Sequence, residues 1–126
     1  METRIEQEYY ENGKIRKEYH YKGYQWHRED GPALITYYEN SKVKIEVYYL
    51  NYKLTRENGP AIIDYYEDEN IHCEQYFLNN GRHRVDGPAL IIYDKDKNII
   101  KEEYWEYGKE MNVLKEMVLR GLRIIF

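Results

Sequence analysis

The segment REDGPALITYY, from Arg28 to Tyr38, returns as RENGPAIIDYY from Arg56 and as RVDGPALIIYD from Arg84. The three starts are spaced by 28 residues with no insertion or deletion between them. A fixed interval of this kind constrains the fold strongly. Each copy must form the same supersecondary unit and hand the chain on in the same orientation. Stacking the chain on this period extends the match well beyond the opening segment. Tyr9, Tyr37, Tyr65 and Tyr93 share a column, and Ile15, Val43, Ile71 and Ile99 another. Glu18, Glu46, Glu74 and Glu102 form a carboxylate column, and Tyr21, Tyr49, Phe77 and Trp105 an aromatic one. Gly31-Pro32, Gly59-Pro60 and Gly87-Pro88 mark the unit boundaries. The chain of 126 residues therefore reads as one repeat domain with units over about 5–32, 33–60, 61–88 and 89–113.

Punctuation within a unit indicates strands. Asn12-Gly13, set between Tyr9-Tyr10 and Lys14-Ile15, is a hairpin signal, because Asn-Gly supplies both positive-φ positions of a type I′ turn. Asn40-Ser41, Asp68-Glu69 and Asp96-Lys97 occupy the same slot. A second turn follows 11 residues later, at Gly23-Tyr24, Asn51-Tyr52, Asn79-Asn80 and Tyr107-Gly108. The proline of each Gly-Pro lacks an N–H and belongs at a strand's first residue or on an edge. Each unit supplies about two strands, so the expected fold is all-β, an elongated twisted antiparallel meander of about eight strands. Two-residue loops would place Glu46 opposite Ile35 in one hairpin and opposite Glu57 in the next. Strand alternation then puts Ala33, Ile35, Tyr37, Glu46 and Tyr48 on one face, with Leu34, Tyr38, Val43, Val47, Tyr49 and Leu54 on the other. The tail breaks the register. Asn112 can cap a helix, Val113, Leu114, Met117, Val118 and Leu122 make a helical stripe, and Gly121 can end it. A short capping helix is expected inside 111–122, with the cap region running over 111–126.

Tyrosine dominates the aromatics, with 16 Tyr against 2 Phe and 2 Trp. Its apolar ring and polar hydroxyl suit strands whose two faces are both partly wet. The net charge of −4 comes from 23 acidic and 19 basic residues that are closely interspersed. No basic block offers the counterion release on which nucleic-acid binding depends, so no nucleic-acid partner is expected. Cys73 is the single cysteine and cannot form an internal disulfide. METRIEQEYYENGK has no apolar signal core, and the chain has no run of ~18 apolar residues. A soluble, intracellular protein without a membrane partner is expected.

Four histidines invite a metal or catalytic reading. His27 and His83, however, share a column with Thr55 and Met111, and no Cys-x-x-Cys, His-Glu-x-x-His or Asp-rich calcium loop accompanies them. They are expected to be structural, with no metal and no cofactor bound. Cys73 aligns with Lys17, Ile45 and Lys101 and is expected to be an inert thiol. The glutamate column resembles a row of catalytic carboxylates, but one active site needs a unique constellation rather than four copies. A structural ladder fits better, with each Glu accepting from Tyr hydroxyls or from Arg28, Arg56 and Arg84. The aromatic column suits a buried sheet face or a protein interface, where Tyr and Trp are favoured anchors. Apolar columns on both faces, together with Ile124-Ile125-Phe126, lead to the expectation of a homo-oligomer, a two-fold dimer foremost, or of a bound protein partner. The candidate interaction surface is Tyr21, Tyr49, Phe77, Trp105 and Phe126.

At YYENGKI, YYLNYKL and DGPA the chain resembles MORN-type repeats, in the variant built on Tyr-Tyr-x-Asn-Gly-Lys. The Asp-Gly-Pro-Ala form is similar to arrays encoded by giant DNA viruses of amoebae. The resemblance covers residues 5–113, with Ser41 and Tyr52 standing where glycine is expected. The shorter Tyr-x-Gly and Gly-x-Gly form of the family is absent, and its lipid binding is not carried over. What the resemblance implies is a non-enzymatic scaffold or protein-interaction module. Similar bacterial repeats labelled as antitoxin or immunity proteins imply an alternative, a protein that binds and masks a toxin.

Overall fold

The computed structural model describes residues 2–111. The expected helix within 111–122 and the side chain of Phe126 lie outside the described residues. Among the described residues fifteen strands follow one another: β1 (Thr3–Tyr9), β2 (Ile15–Lys22), β3 (Gln25–Trp26), β4 (Leu34–Tyr37), β5 (Val43–Val47), β6 (Tyr49–Leu50), β7 (Lys53–Leu54), β8 (Ile62–Tyr65), β9 (Ile71–Gln75), β10 (Phe77–Leu78), β11 (Gly81–Arg82), β12 (Leu90–Tyr93), β13 (Ile99–Glu103), β14 (Trp105–Glu106) and β15 (Lys109–Glu110). The main sheet runs in the order β1-β2-β4-β5-β8-β9-β12-β13. All its pairings are antiparallel. It is an all-β meander of hairpins, not closed into a barrel. Among the described residues no helix is long and apolar enough to cross a membrane.

Each unit adds a short lateral ribbon to its pair of long strands. β3 continues from β2, while β6–β7, β10–β11 and β14–β15 form separate two-stranded ribbons. The pairing of Glu46 departs from the expected register. Tyr49 faces Leu54 and Leu50 faces Lys53, as a two-residue loop at Asn51-Tyr52 requires. The hairpin does not extend back to Glu46, however. β5 instead pairs with β8, so Glu46 lies opposite Ile63 and not opposite Glu57. The Gly-Pro turn carries the chain from the ribbon back to the main sheet, and Glu57 stays on that turn.

The first turn departs from the type I′ expectation at Asn12-Gly13. Tyr10 N–H donates to the Lys14 carbonyl at 2.8 Å and Gly13 N–H to the Tyr10 carbonyl at 2.9 Å, closing a three-residue loop over Glu11, Asn12 and Gly13. Only the last loop position has positive φ, at Gly13 (84°), Ser41 (70°), Glu69 (74°) and Lys97 (68°). That is a turn followed by one left-handed residue, not a type I′ pair. Asn12, Asn40 and Asp68 serve as side-chain acceptors, their Oδ1 taking the N–H two residues on at 2.9, 3.0 and 2.9 Å. In each hairpin the register slips by one residue next to the first tyrosine of the pair. The extra residue increases local twist. Paired positive φ occurs instead in the ribbons, at Asn51-Tyr52 (48° and 66°), Asn79-Asn80 (45° and 72°) and Tyr107-Gly108 (49° and 77°).

The Gly-Pro boundary is built around arginine. Arg28, Arg56 and Arg84 each fold back so that Nη1 donates to the carbonyl of Pro32, Pro60 or Pro88 at 3.2, 3.1 and 3.1 Å. The guanidinium of Arg56 lies 4.0 Å from the Tyr48 ring centre, and that of Arg84 lies 4.1 Å from Tyr76. This geometry stacks cation on aromatic face. The repeated glycine makes room for it. A Cβ on Gly31, Gly59 or Gly87 would come within 2.9, 3.0 or 2.9 Å of that guanidinium. Gly59 also sits at φ +155°, strained for any other residue. The alanine that follows each proline is fully buried, at Ala33, Ala61 and Ala89. Its N–H and carbonyl bond both flanking strands.

Gly59→Val should therefore destabilise the protein by about 1 kcal/mol or more, by displacing Arg56 and straining the turn. Equilibrium urea unfolding monitored by circular dichroism measures this. A midpoint equal to wild type would show that the glycine is incidental.

Candidate functional site

The repeated tyrosines join neighbouring units, and at Tyr65-Tyr66 the pair does so in both directions. The first tyrosine reaches back. Tyr65 Oη donates to Glu46 Oε1 at 2.5 Å, and Tyr93 Oη to Glu74 Oε1 at 2.8 Å. The second reaches forward, since Tyr10, Tyr38 and Tyr66 hydroxyls donate to the carbonyls of Tyr37, Tyr65 and Tyr93 at 2.5, 2.6 and 2.8 Å. The glutamate column is thus a ladder partnered by tyrosine. Arg28, Arg56 and Arg84 take no part in it, because their guanidinium groups are held at the Gly-Pro turns.

The ends of the array depart from this scheme in a consistent way. Tyr9 has no preceding glutamate and donates to Gln7 Oε1 at 2.9 Å. Glu18 accepts from Gln7 Nε2 at 3.0 Å and lies 2.9 Å from His20 Nε2. Burial would raise the Glu18 carboxyl, but the bonds with His20 and Gln7 outweigh it and hold the group below its ordinary range. Glu102 accepts from Tyr104 at 3.1 Å. Asp94 replaces the second tyrosine of the last unit, and its Oδ1 accepts from Asp96 and Asn98 N–H at 2.8 and 3.0 Å.

His27 and His83 have a structural task that the sequence did not specify. His27 is buried, and its Nδ1 accepts from Asn51 N–H at 2.9 Å. His83 Nδ1 does the same for Tyr107 N–H at 3.0 Å. Each satisfies the first N–H of the next ribbon's turn. Among the described residues no group of three or more His, Cys, Asp or Glu is placed to hold a metal ion. Cys73 is 8% exposed, and burial pushes its thiol up to about 11. The thiolate needed for nucleophilic chemistry is therefore scarce at neutral pH. Asp64, opposite Cys73, is likewise raised by burial.

The aromatic column lies along the ribbons, half-buried, and interlocks from one to the next. Trp26 faces Tyr21 across its own ribbon, and its ring centre lies 5.1 Å from Tyr49 and 5.6 Å from Tyr52. Arg82 fills the same place two units on, 5.8 Å from the Phe77 ring and 5.4 Å from Trp105. Tyr21, Tyr49, Phe77 and Trp105 thus follow one another along the ribbons, with side-chain links between the first and second and between the third and fourth. Trp26 and Arg82, which the sequence reading passed over, are the inter-ribbon links. Grooves open between successive Gly-Pro turns. One of about 430 Å³ is lined by Arg28, Asp30, Tyr49, Leu50 and Glu57, and one of about 540 Å³ by the equivalent positions of the next repeat.

No protein-family model, curated protein or solved structure matches the chain.

Tyrosine ionisation gives the ladder a pH signature. Burial, then the bond to Glu74, pushes Tyr93 from 10.0 to about 12, and Tyr65 is raised by the same causes acting with Glu46. Above the unfolded value the unfolded chain loses these protons first. Stability should be complete below pH 10.0 and fall as pH rises toward about 12. Urea midpoints measured across that range should decline, and Tyr93→Phe should decline less steeply. A variant with the wild-type slope would remove Tyr93 from the account.

Proposed function

We propose that this chain is a non-enzymatic, MORN-like repeat scaffold that binds another protein along its row of ribbons. One observation carries the reading. The groups that recur with the repeat are engaged in joining repeats, whereas the ribbon turns present large apolar side chains to water. Tyr24 is 91% exposed, Tyr107 79% and Tyr52 56%, and Leu50 and Leu78 lie exposed beside them. A line of exposed aromatics on a regular backbone is the kind of surface that supplies interface anchors. Trp26 stacks on Tyr52 and His83 packs against Tyr107, which holds two of these turns in place.

Immobilised protein exposed to extract of its native cell tests the proposal. Wild type should retain a defined protein in stoichiometric amount, and the triple variant Tyr24→Asn, Tyr52→Asn, Tyr107→Asn should lose it. Asparagine is chosen because it tolerates the positive φ found at two of these turns. Light scattering of the isolated chain reports whether a second copy already fills the row. Retention of the same protein by a triple variant with an unchanged unfolding midpoint would contradict the proposal.

A further inference from the structure

The first and third Gly-Pro boundaries carry an ion pair that the second lacks. Arg28 Nε donates to Asp30 Oδ1 at 2.9 Å, and Arg84 Nε donates to Asp86 Oδ1 at 3.0 Å. In the second boundary the same column holds an amide, Asn58. The Arg56 guanidinium bonds the Pro60 carbonyl and stacks on Tyr48, and its Nε has no acceptor among the described residues. The boundary is built to receive a carboxylate that its sequence does not encode.

Asn58 is followed by Gly59. An asparagine before glycine is the arrangement in which the next backbone nitrogen most readily attacks the side-chain amide, because glycine has no side chain to hinder the approach. Two other such pairs occur, Asn12-Gly13 and Asn80-Gly81, and all three asparagines are exposed. Hydrogen bonding separates them. Asn12 Oδ1 accepts from Lys14 N–H at 2.9 Å, and the Gly13 N–H donates to the Tyr10 carbonyl at 2.9 Å. Asn80 Oδ1 accepts from Leu54 N–H at 2.8 Å, and Gly81 is paired with Leu78 in its ribbon. The Asn58 side chain and the Gly59 N–H have no hydrogen-bond partner among the described residues. Both reacting groups are free at this pair alone.

We propose that Asn58 is a self-processing site that deamidates to aspartate and so supplies the missing partner of Arg56. The Gly59 nitrogen attacks Asn58 Cγ, the Cγ–Nδ2 bond breaks, and ammonia leaves with the proton that Gly59 gives up. Water then adds at Cγ of the cyclic imide. The Cγ–nitrogen bond opens, and a proton from the water returns to the Gly59 nitrogen. Opening at Cγ yields ordinary aspartate, placed two residues after Arg56 as Asp30 is after Arg28. There the guanidinium beside Asp30 holds its carboxyl below the ordinary range. Opening at the backbone carbonyl would instead give isoaspartate, whose extra main-chain methylene does not fit the shape shared by the three boundaries. Arg56 and Asn58 line both grooves of the ribbon row, so the change adds one negative charge to both at once. The inference does not depend on the identity of any protein partner.

Folded wild-type protein incubated at mildly alkaline pH tests it. Aliquots are cleaved after lysine and arginine under mildly acidic conditions, where the imide forms slowly. Fragment mass spectrometry of Ile5–Lys14 and Glu57–Arg82 then follows the three asparagines separately. Asn58 should convert about tenfold faster than Asn12 and Asn80, or more, since their bonded groups must first open. The converted Glu57–Arg82 fragment should coelute with the one from an Asn58→Asp variant, which marks ordinary aspartate. Conversion of Asn58 no faster than that of Asn12 and Asn80 would overturn the inference, and so would isoaspartate as the main product.

Discussion

The side-chain bonds that tie each repeat to its neighbours are the interactions on which this structure depends. A single open sheet gains little from a dry core. The buried apolar residues are alanines and medium aliphatics such as Ile35, Val47, Ile63 and Ile91, with no large side chain fully enclosed among the described residues. Stability in such an array is a sum of units and nearest-neighbour interfaces. Here the interfaces between the second and third and between the third and fourth repeats combine the ladder between main-sheet strands with two tyrosine hydroxyls, one aimed back at a carboxylate and one forward at a backbone carbonyl. Hydrogen bonds to charged acceptors contribute about 1.5–3 kcal/mol each, more than the neutral kind. That explains the abundance of tyrosine. Phenylalanine could cover the same area but could not bridge two repeats.

The arginine at the Gly-Pro boundary performs the complementary task of holding the chain reversal. Its guanidinium bonds the proline carbonyl and, at Arg56 and Arg84, stacks on a tyrosine. In the first unit the stacking position is His20, and Arg28 Nη1 lies 3.2 Å from its Nε2. The boundary therefore keeps its shape while its aromatic partner varies. It also returns the chain to the main sheet after each ribbon, and this produces two parallel rows, one of long strands and one of ribbons.

Much of this was legible in the sequence because it is periodic. The eight long strands of the main sheet, the hairpin positions, the Ile35–Glu46 pairing and the tyrosine partners of Glu46 and Glu74 follow from columns spaced by 28 residues, while the short ribbon strands were not counted. What escaped has a common physical cause, namely that the missing partner is backbone or the deciding variable is register. The forward bonds of Tyr10, Tyr38 and Tyr66 end on carbonyls, which carry no residue signature. The same is true of the arginine–proline contacts and of the N–H groups satisfied by His27 and His83. The type I′ turn expected at Asn12-Gly13 failed because a one-residue register slip enlarges the loop, and Asn-Gly alone does not reveal that slip. The expected Glu46–Glu57 pairing failed because β5 changes partners after Val47. The aromatic row was visible as a column, but its links through Trp26 and Arg82 belong to a different column.

The most direct measurement of the inter-repeat tie is a double-mutant cycle on Tyr65→Phe and Glu46→Gln, read from equilibrium unfolding in urea at neutral pH. If these side chains join the second repeat to the third, the two losses should fall short of additivity by about 1 kcal/mol or more. Additive losses, within the few tenths of a kcal/mol expected for independent sites, would show that the repeats are held by backbone pairing alone and would contradict this account.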